Sequence, residues 1–287
     1  EVKNERKKRN TEEQTERIRF SEVHLSEGQN LTVEIQYRRN SRDIKPGTYN
    51  IDGLFAHYNH INYVNICRYL RYLFTDQNLD IICLQEVWEI SIYNMIKDKL
   101  SDLNLYYAQP PTQQKYYVGE SSGLLTISKY PITYTDFQRY DYLNWTCNMT
   151  SKGFQYLQIN IKDTNFNIIN THLQCSFNKL KYLFQNNALD QMNIILNYLK
   201  DQNIENVLIL GDLNLDTIYM MNYLKQHDEL NIPYEFKNNI TFSKQSEQLD
   251  YFIDYNNLLN NKKTKYKIMN NIYYSDHYPI MLTINDI

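Results

Sequence analysis

Four carboxylates, two histidines and two asparagines stand where apolar runs begin or end. Asn50 closes "TYN", Glu86 closes "IICLQE", His172 closes "IINTH", Asp212 and Asn214 close "LILGDLN", Asp250 opens "DYFIDY", and Asp276 with His277 precedes "YPIMLTI". A carboxylate set against apolar core costs free energy unless it is paired or bound to a cation. Several converging on one sheet edge would suit a hard metal. Oxygen donors from Asn50, Glu86 and an aspartate such as Asp276, with room for water, favour Mg²⁺ over Zn²⁺, which prefers histidine and cysteine. The chemistry in view is attack on a phosphodiester, in which a cation neutralises the charge that develops on the phosphoryl oxygens. Histidine, with an ordinary pKa of about 6.5, is suited to deprotonate the attacking water, and a carboxylate beside it fixes its tautomer. Taken singly, each residue has a plain structural reading: Asn50 as a turn, Glu86 as a charge at the start of a helix in "VWEISIYNM", "GDLN" as a helix-entry loop, Asp276 as a cap, His172 as a core histidine bonded to backbone. Their joint occurrence points to a site.

Strand-like and helix-like segments alternate from Thr48 onward. "TYNI", "LDIICLQEV", "SSGLLTISKYPI", "KGFQYLQINI", "FNIINTHLQ", "NVLILGDLN", "QLDYFIDY", "KYKIMNNIYY" and "YPIMLTI" read as strands, with "KDTN" joining a hairpin. Residues 57–75, with Ile61, Val64, Leu70, Leu73 and Phe74, and residues 179–200 read as amphipathic helices, and 216–227 as a shorter one. The mixture predicts an α/β (α+β) domain with mixed sheets. Before it, residues 1–17 are almost wholly polar, and "RIRFSEVHL" and "LTVEIQY" alternate around "SEGQN" as a hairpin would. Pro46-Gly47 marks a boundary, giving an N-terminal extension over 1–45 and a catalytic domain over 46–287. The start at Glu1 points to a processed or truncated form.

The formal net charge is −3 over 287 residues, so no general attraction to nucleic acid is expected, and "NNKKTKYK" is the one basic cluster of the main domain. No run approaches the roughly 18 apolar residues that cross a bilayer. The 27 tyrosines and the asparagine excess point to an A+T-rich coding sequence. Sequons at Asn30, Asn144, Asn148 and Asn239 are about as many as chance supplies. His24, His57, His60 and His227 lie in no motif and read as surface residues. Cys67 and Cys83 read as buried thiols. If the hairpin pairs across "KDTN", Cys147 and Cys175 share its open end, where a disulfide is sterically feasible and two unpaired thiols are the alternative. A bridge would imply a secreted or lumenal, membrane-associated setting, with a cytoplasmic one as the alternative.

Together "YNIDGL", "DIICLQEVW", "SGLLTISKYPI", "NTHLQ", "LILGDLN", "QLDYFI" and "SDHYPI" resemble the endonuclease/exonuclease/phosphatase superfamily. The resemblance implies the deoxyribonuclease-like fold, a four-layer sandwich of two mixed β-sheets flanked by helices. "CNMTSKGFQYLQI", "INTHLQC" and "YYSDHYPI" resemble its neutral sphingomyelinase branch, especially the secreted bacterial phospholipase C type, which also has cysteines placed like Cys147 and Cys175. The tryptophan- and arginine-rich signature of the inositol polyphosphate 5-phosphatases is missing. The roles implied are Glu86 as principal Mg²⁺ ligand assisted by Asn50, with Mn²⁺ or Co²⁺ as substitutes. Asp212 and Asn214 would hold phosphate and the metal-side water. His172 would bond the phosphoryl oxygens, and His277 would act as general base with Asp276 nearby and Asp250 orienting it. The implied activity is hydrolysis of sphingomyelin, or a related choline phospholipid, to ceramide and phosphocholine. It would be carried out by a monomer at a membrane surface, without nucleic acid as partner. A nuclease or other phosphodiesterase on the same scaffold, and an inactive lipid- or protein-binding scaffold, are the alternatives. One departure is that the interval from Asp250 to Asp276 lacks the aromatic-tipped hairpin of the bacterial enzymes. Tyr266, Ile268, Met269 and Tyr273-Tyr274 read as ordinary strand packing, which leaves residues 89–96 or "QQKYYVG" for membrane contact.

Overall fold

The computed structural model describes residues 43–51, 60–109, 120–141, 150–175, 181–235, 239–244, 246–270 and 274–285. All but a few of these fall in strands, helices and short turns of one compact unit, Asn40–Ile287. The two strands expected within residues 1–42 lie outside the described residues, as do "QQKYYVG", Cys147, Tyr273 and the sequons at Asn30, Asn144 and Asn148.

Two six-stranded mixed sheets form the centre. The first has the order β11-β12-β1-β2-β4-β3, built from β1 (Pro46–Asn50), β2 (Ile81–Val87), β3 (Tyr106–Ala108), β4 (Gly123–Ser128), β11 (Thr264–Ile268) and β12 (Ile280–Ile284). The second has the order β5-β6-β7-β8-β10-β9, built from β5 (Ile132–Arg139), β6 (Gly153–Ile161), β7 (Thr164–His172), β8 (Val207–Asp212), β9 (Leu230–Asn231) and β10 (Asp250–Tyr255). Helices α1 (His60–Thr75) and α2 (Ile90–Lys99) share a core with the first sheet, and α3 (Lys181–Asp201) and α4 (Thr217–Leu224) with the second. A third apolar cluster, including Cys83, Leu157, Ile168, Leu208, Leu210, Phe252 and Leu282, draws on both sheets. The result is the predicted four-layer sandwich.

Local chemistry accounts for the main joins. β6 and β7 meet through Lys162 and Asp163, both with positive φ (50° and 66°), the backbone a two-residue hairpin needs to match strand twist. On α1 the buried positions among the described side chains are Tyr63, Ile66, Cys67, Tyr69, Leu70, Leu73 and Phe74, a broad helical face; Val64, expected in it, sits at its margin. "SSGLLTISKYPI" is not one strand but β4 followed by a turn at Pro131 and the start of β5. In α2, Ile92, Tyr93 and Ile96 are buried against the first core, so the helix spends its apolar face there and residues 89–96 do not offer a membrane-facing one. As expected, Tyr266 packs in the fold, stacked on Tyr234 at 4.0 Å within the strand pair β11–β12. Among the described residues no helix is long and apolar enough to cross a membrane.

Gly211, in β8, is required by a close approach. Its φ is +145°, and a Cβ there would lie 1.9 Å from the Thr171 carbonyl oxygen of β7. Gly211→Ala is therefore expected to lower the melting temperature by roughly 6–12 °C, the equivalent of about 3 kcal/mol in a domain of this size. Thermal unfolding followed by circular dichroism measures this. A shift of less than about 2 °C would show that the two strands can separate at little cost.

Candidate active site

Register brings the chemistry together. In the second sheet His172 pairs with Asp212 across parallel β7 and β8, and Asp250 pairs with Asp212 across antiparallel β10 and β8. Three functional groups from distant parts of the chain thus stand in one row. In the first sheet Asn50 ends β1 beside Gln85, and Glu86 follows on β2. The sheets meet at this edge through directional bonds. Asn50 Nδ2 donates to Asp212 Oδ2 at 3.0 Å and to Glu86 Oε1 at 3.1 Å. Just below, Gln85 Nε2 donates to Asn170 Oδ1 at 2.8 Å, Asn170 Nδ2 to the Leu84 carbonyl at 3.3 Å, and Thr126 Oγ1 to Gln155 Oε1 at 3.3 Å. This buried polar layer floors the site, and satisfied amides in a dry interior hold their partners in fixed places.

Glu86 is aimed by backbone distortion. Its φ is +64°, and the β2–β4 register shifts between Leu84 and Val87. A bulge turns one side chain out of the regular alternation. The carboxylate stays partly exposed, with Trp88 Nε1 3.5 Å from its second oxygen.

His277 is 5% exposed, and its Nδ1–H donates to Asp250 Oδ2 at 2.8 Å, while Nε2 lies 3.6 Å from Asp212 Oδ2. Burial pushes this imidazole down, but the Asp250 and Asp212 carboxylates and the Asp250 hydrogen bond outweigh it and take the pKa up to about 10. Phe242 lies against the ring at 4.8 Å between centroids, and Thr241 Oγ1 accepts from the Leu249 and Asp250 amides. Ser275 links the halves, donating to the Asn50 carbonyl at 2.8 Å and accepting from the His277 amide at 3.1 Å.

His172 behaves oppositely. Burial, then the charge of Lys152 and that of His277, hold its pKa well below the ordinary value. The neutral ring accepts at Nε2 from Lys152 Nζ at 2.8 Å, which also donates to the Leu173 carbonyl at 2.7 Å. That places the proton on Nδ1, which is buried with no partner. Asp212 Oδ2 lies 3.5 Å from His172 Nε2. Burial first, and then the neighbouring Asp250 charge, push Asp212 up to about 6, against the pull of His277, Lys152 and the Asn50 amide. Asn214, at φ +50°, donates its amide N–H to Asp212 Oδ1 at 3.0 Å and Nδ2 to the Leu173 carbonyl at 3.2 Å. From behind, Gln185 of α3 donates to the Asn214 carbonyl at 2.6 Å.

Asn50, Glu86, His172, Asp212, Asn214, Asp250 and His277 are therefore brought together. Asp276 stands beside them: its carboxylate pairs with Lys244 Nζ at 2.7 Å, and its charge is among those that raise His277. Lys152, Trp88, Thr241 and Ser275 are site residues that the strand-end pattern did not single out. The "SKG" segment held the one available signal for Lys152. Cys175 follows the His172 loop; no disulfide forms among the described residues, and Cys147, its expected partner, is outside them.

Three ligand atoms of Asp212, Asp250 and His277 lie within 4.8 Å of one another, so this group could bind a metal ion. The 2.8 Å hydrogen bond inside it already engages two of the three. Three linked carboxylates, Glu86, Asp212 and Asp250, outnumber the two buried cationic groups beside them, Lys152 and His277, an excess of negative charge that a divalent cation would offset.

Comparison with known proteins gives concordant results. A model described as "Endonuclease/Exonuclease/phosphatase family" matches residues 47–225. A sphingomyelinase of Dictyostelium discoideum is 28% identical over 173 residues, 48% of this chain and 37% of the relative, so the match spans little over a third of that protein. Among solved structures, sphingomyelinase C from Streptomyces griseocarneus superposes with a TM-score of 0.70 at 19% identity, covering 85% of this chain and 99% of the other. A beta toxin from Staphylococcus aureus with bound magnesium ions gives 0.71 at 22% identity, covering 84% and 99%. At these identities the structural likeness speaks for the fold.

Proposed function

Since the chain belongs to the endonuclease/exonuclease/phosphatase family, we propose that it is a Mg²⁺-dependent phosphodiesterase that hydrolyses sphingomyelin, or a closely related choline phospholipid, to ceramide and phosphocholine. The observation that carries the reading is the linked set Glu86–Asn50–Asp212 and Asp250–His277, a charge-rich pocket joined through Asp212 to a histidine whose tautomer is fixed.

Glu86, with Asn50, would hold the ion. Their oxygen atoms are hard ligands, and Glu86 is exposed enough for the ion to keep water, as Mg²⁺ prefers. When bound, the ion would neutralise charge developing on the phosphoryl group. The remaining work falls to the chain. His277 Nε2, with Nδ1–H tied to Asp250, accepts the proton of the attacking water. His172 Nδ1–H donates to the phosphoryl group, and the Lys152 ammonium, bonded to His172 Nε2, adds positive charge beside it. Asn214 keeps Asp212 in place between the two histidines.

A lipid substrate is supported over nucleic acid by the charge balance. The formal net charge is −3 and "NNKKTKYK" is the one basic cluster of the main domain, whereas a nucleic-acid groove needs several cations along the backbone track. The sphingomyelinase among the relatives points the same way. We expect phosphocholine release from sphingomyelin vesicles that is abolished by EDTA and restored by Mg²⁺, with plasmid DNA left intact in parallel. Plasmid cleavage without lipid hydrolysis would overturn the reading.

A further inference from the structure

A cavity of about 450 Å³ opens beside the catalytic row, bounded by the chain entering α4, by residues 239–240 and by residues 246–248. Its walls are close chain neighbours of the site. Asp216 comes two residues after Asn214, Gln248 two residues before Asp250, and Ile240 precedes Thr241. Two residues of chain span at most about 7 Å, so the cavity wall lies close to Asn214 and Asp250 along the backbone.

Two polar atoms at this place are buried without partners: Nδ2 of Asn239, a donor, and Oε1 of Gln248, an acceptor. Gln248 is 4% exposed. Its amide cannot turn round, because Nε2 donates to the Asp250 carbonyl at 3.5 Å and to the Tyr234 hydroxyl at 3.1 Å, and a carbonyl only accepts. An unmade buried donor and acceptor are costly, and native structures rarely keep such a pair without use. A secondary amide, which offers an N–H on one edge and a C=O on the other, supplies the donor that Gln248 lacks and the acceptor that Asn239 lacks.

The surroundings are apolar. Ile218 is 70% exposed, Ile240 42% and Met221 36%, three of the six large hydrophobics left exposed among the described residues. Ile218 and Met221 are three apart on α4 and share a face, and Ile218 and Ile240 line the cavity itself. A polar pocket with an apolar rim fits a ligand whose amide carries hydrocarbon.

We propose that this cavity binds the amide-bearing backbone of a sphingolipid substrate. Gln248 Oε1 accepts from the substrate N–H, Asn239 Nδ2 donates to its carbonyl, and Ile218, Ile240 and Met221 lie against the hydrocarbon. The inference rests on the lipid phosphodiesterase reading and supplies a selectivity that the head group cannot. Phosphatidylcholine bears the same phosphocholine but only ester groups, so it has no N–H for Gln248.

The test uses the full chain with Mg²⁺ and three substrates: sphingomyelin and phosphatidylcholine in detergent micelles, and water-soluble p-nitrophenylphosphocholine, which has no lipid part. In Asn239→Ala and Gln248→Met, the ratio of kcat/KM for sphingomyelin to that for p-nitrophenylphosphocholine is expected to fall about tenfold, the worth of one buried hydrogen bond. The sphingomyelin-to-phosphatidylcholine ratio should fall with it. Ratios unchanged within twofold in both variants would overturn the proposal while leaving the function intact. A wild-type protein that releases phosphocholine from none of the three would remove the function itself, and the cavity's assignment with it. Asn239→Ala breaks no hydrogen bond of its side-chain nitrogen, so it reads the site even if Gln248→Met disturbs Asp250.

Discussion

Replacing His277 with alanine is expected to lower turnover about a thousandfold, the range in which a positioned general base operates, with the far-ultraviolet circular dichroism unchanged. The magnitude follows from how completely the ring is committed. It is held by Asp250 at 2.8 Å on one nitrogen, packed by Phe242, and anchored at its own amide by Ser275. Asp250→Asn should be nearly as damaging. An amide in place of the carboxylate can donate to Nδ1, moving the ring proton to Nε2 and turning the base into a donor. The sign of the pH dependence is also set. The surrounding carboxylates raise the imidazole's pKa, and only its neutral form can accept a proton. Activity should therefore rise with pH along an acid limb that His277→Ala lacks. A bound cation would move that limb to lower pH. His277→Ala enzyme retaining more than about a tenth of wild-type turnover would exclude the base role.

The second large effect is expected for Glu86→Gln. The change keeps shape and leaves the side-chain oxygen that accepts from Asn50, yet removes one of the three linked carboxylate charges. Mg²⁺ affinity should fall by about 10- to 100-fold and turnover at saturating Mg²⁺ by a further large factor. Calorimetric titration with Mg²⁺ measures the first without any substrate. Mg²⁺ should also raise the melting temperature of the wild type, because a ligand that binds only the folded state stabilises it, and this gain should shrink in Glu86→Gln. Equal Mg²⁺ affinity in the two proteins would move the ion away from Glu86.

The residues behind these expectations were legible in the sequence for a definite reason. Buried strands write themselves as apolar runs, so a polar residue at the end of one stands out, as Asn50, Glu86, His172 and Asp212 do. Elements without that contrast were harder to see. β5, largely exposed along both faces, offers no alternation to read. Contacts between remote segments left no trace either: Ser275 reaches the Asn50 carbonyl across 225 positions, and Thr241 holds the start of β10 through an ordinary-looking "NNITFS". Lys152 is a lysine almost wholly buried, a state that no local pattern announces. Asp276, adjacent to His277 in "SDH", pairs with Lys244, a contact that the motif does not announce.

The amides beneath the site have a mechanical consequence. Hydrophobic contact between sheets is non-directional and by itself specifies no polar register across the seam. Here Asn50 and Glu86 ride on one sheet and His172, Asp212 and Asp250 on the other, so any shear would open or close the gap in which a phosphate is attacked. The Gln85–Asn170 pair and the Asn170 bond to the Leu84 carbonyl act as keys across that seam. They convert two sliding plates into a vice of fixed width, which lets the surrounding loops change without altering the distance across which the chemistry takes place.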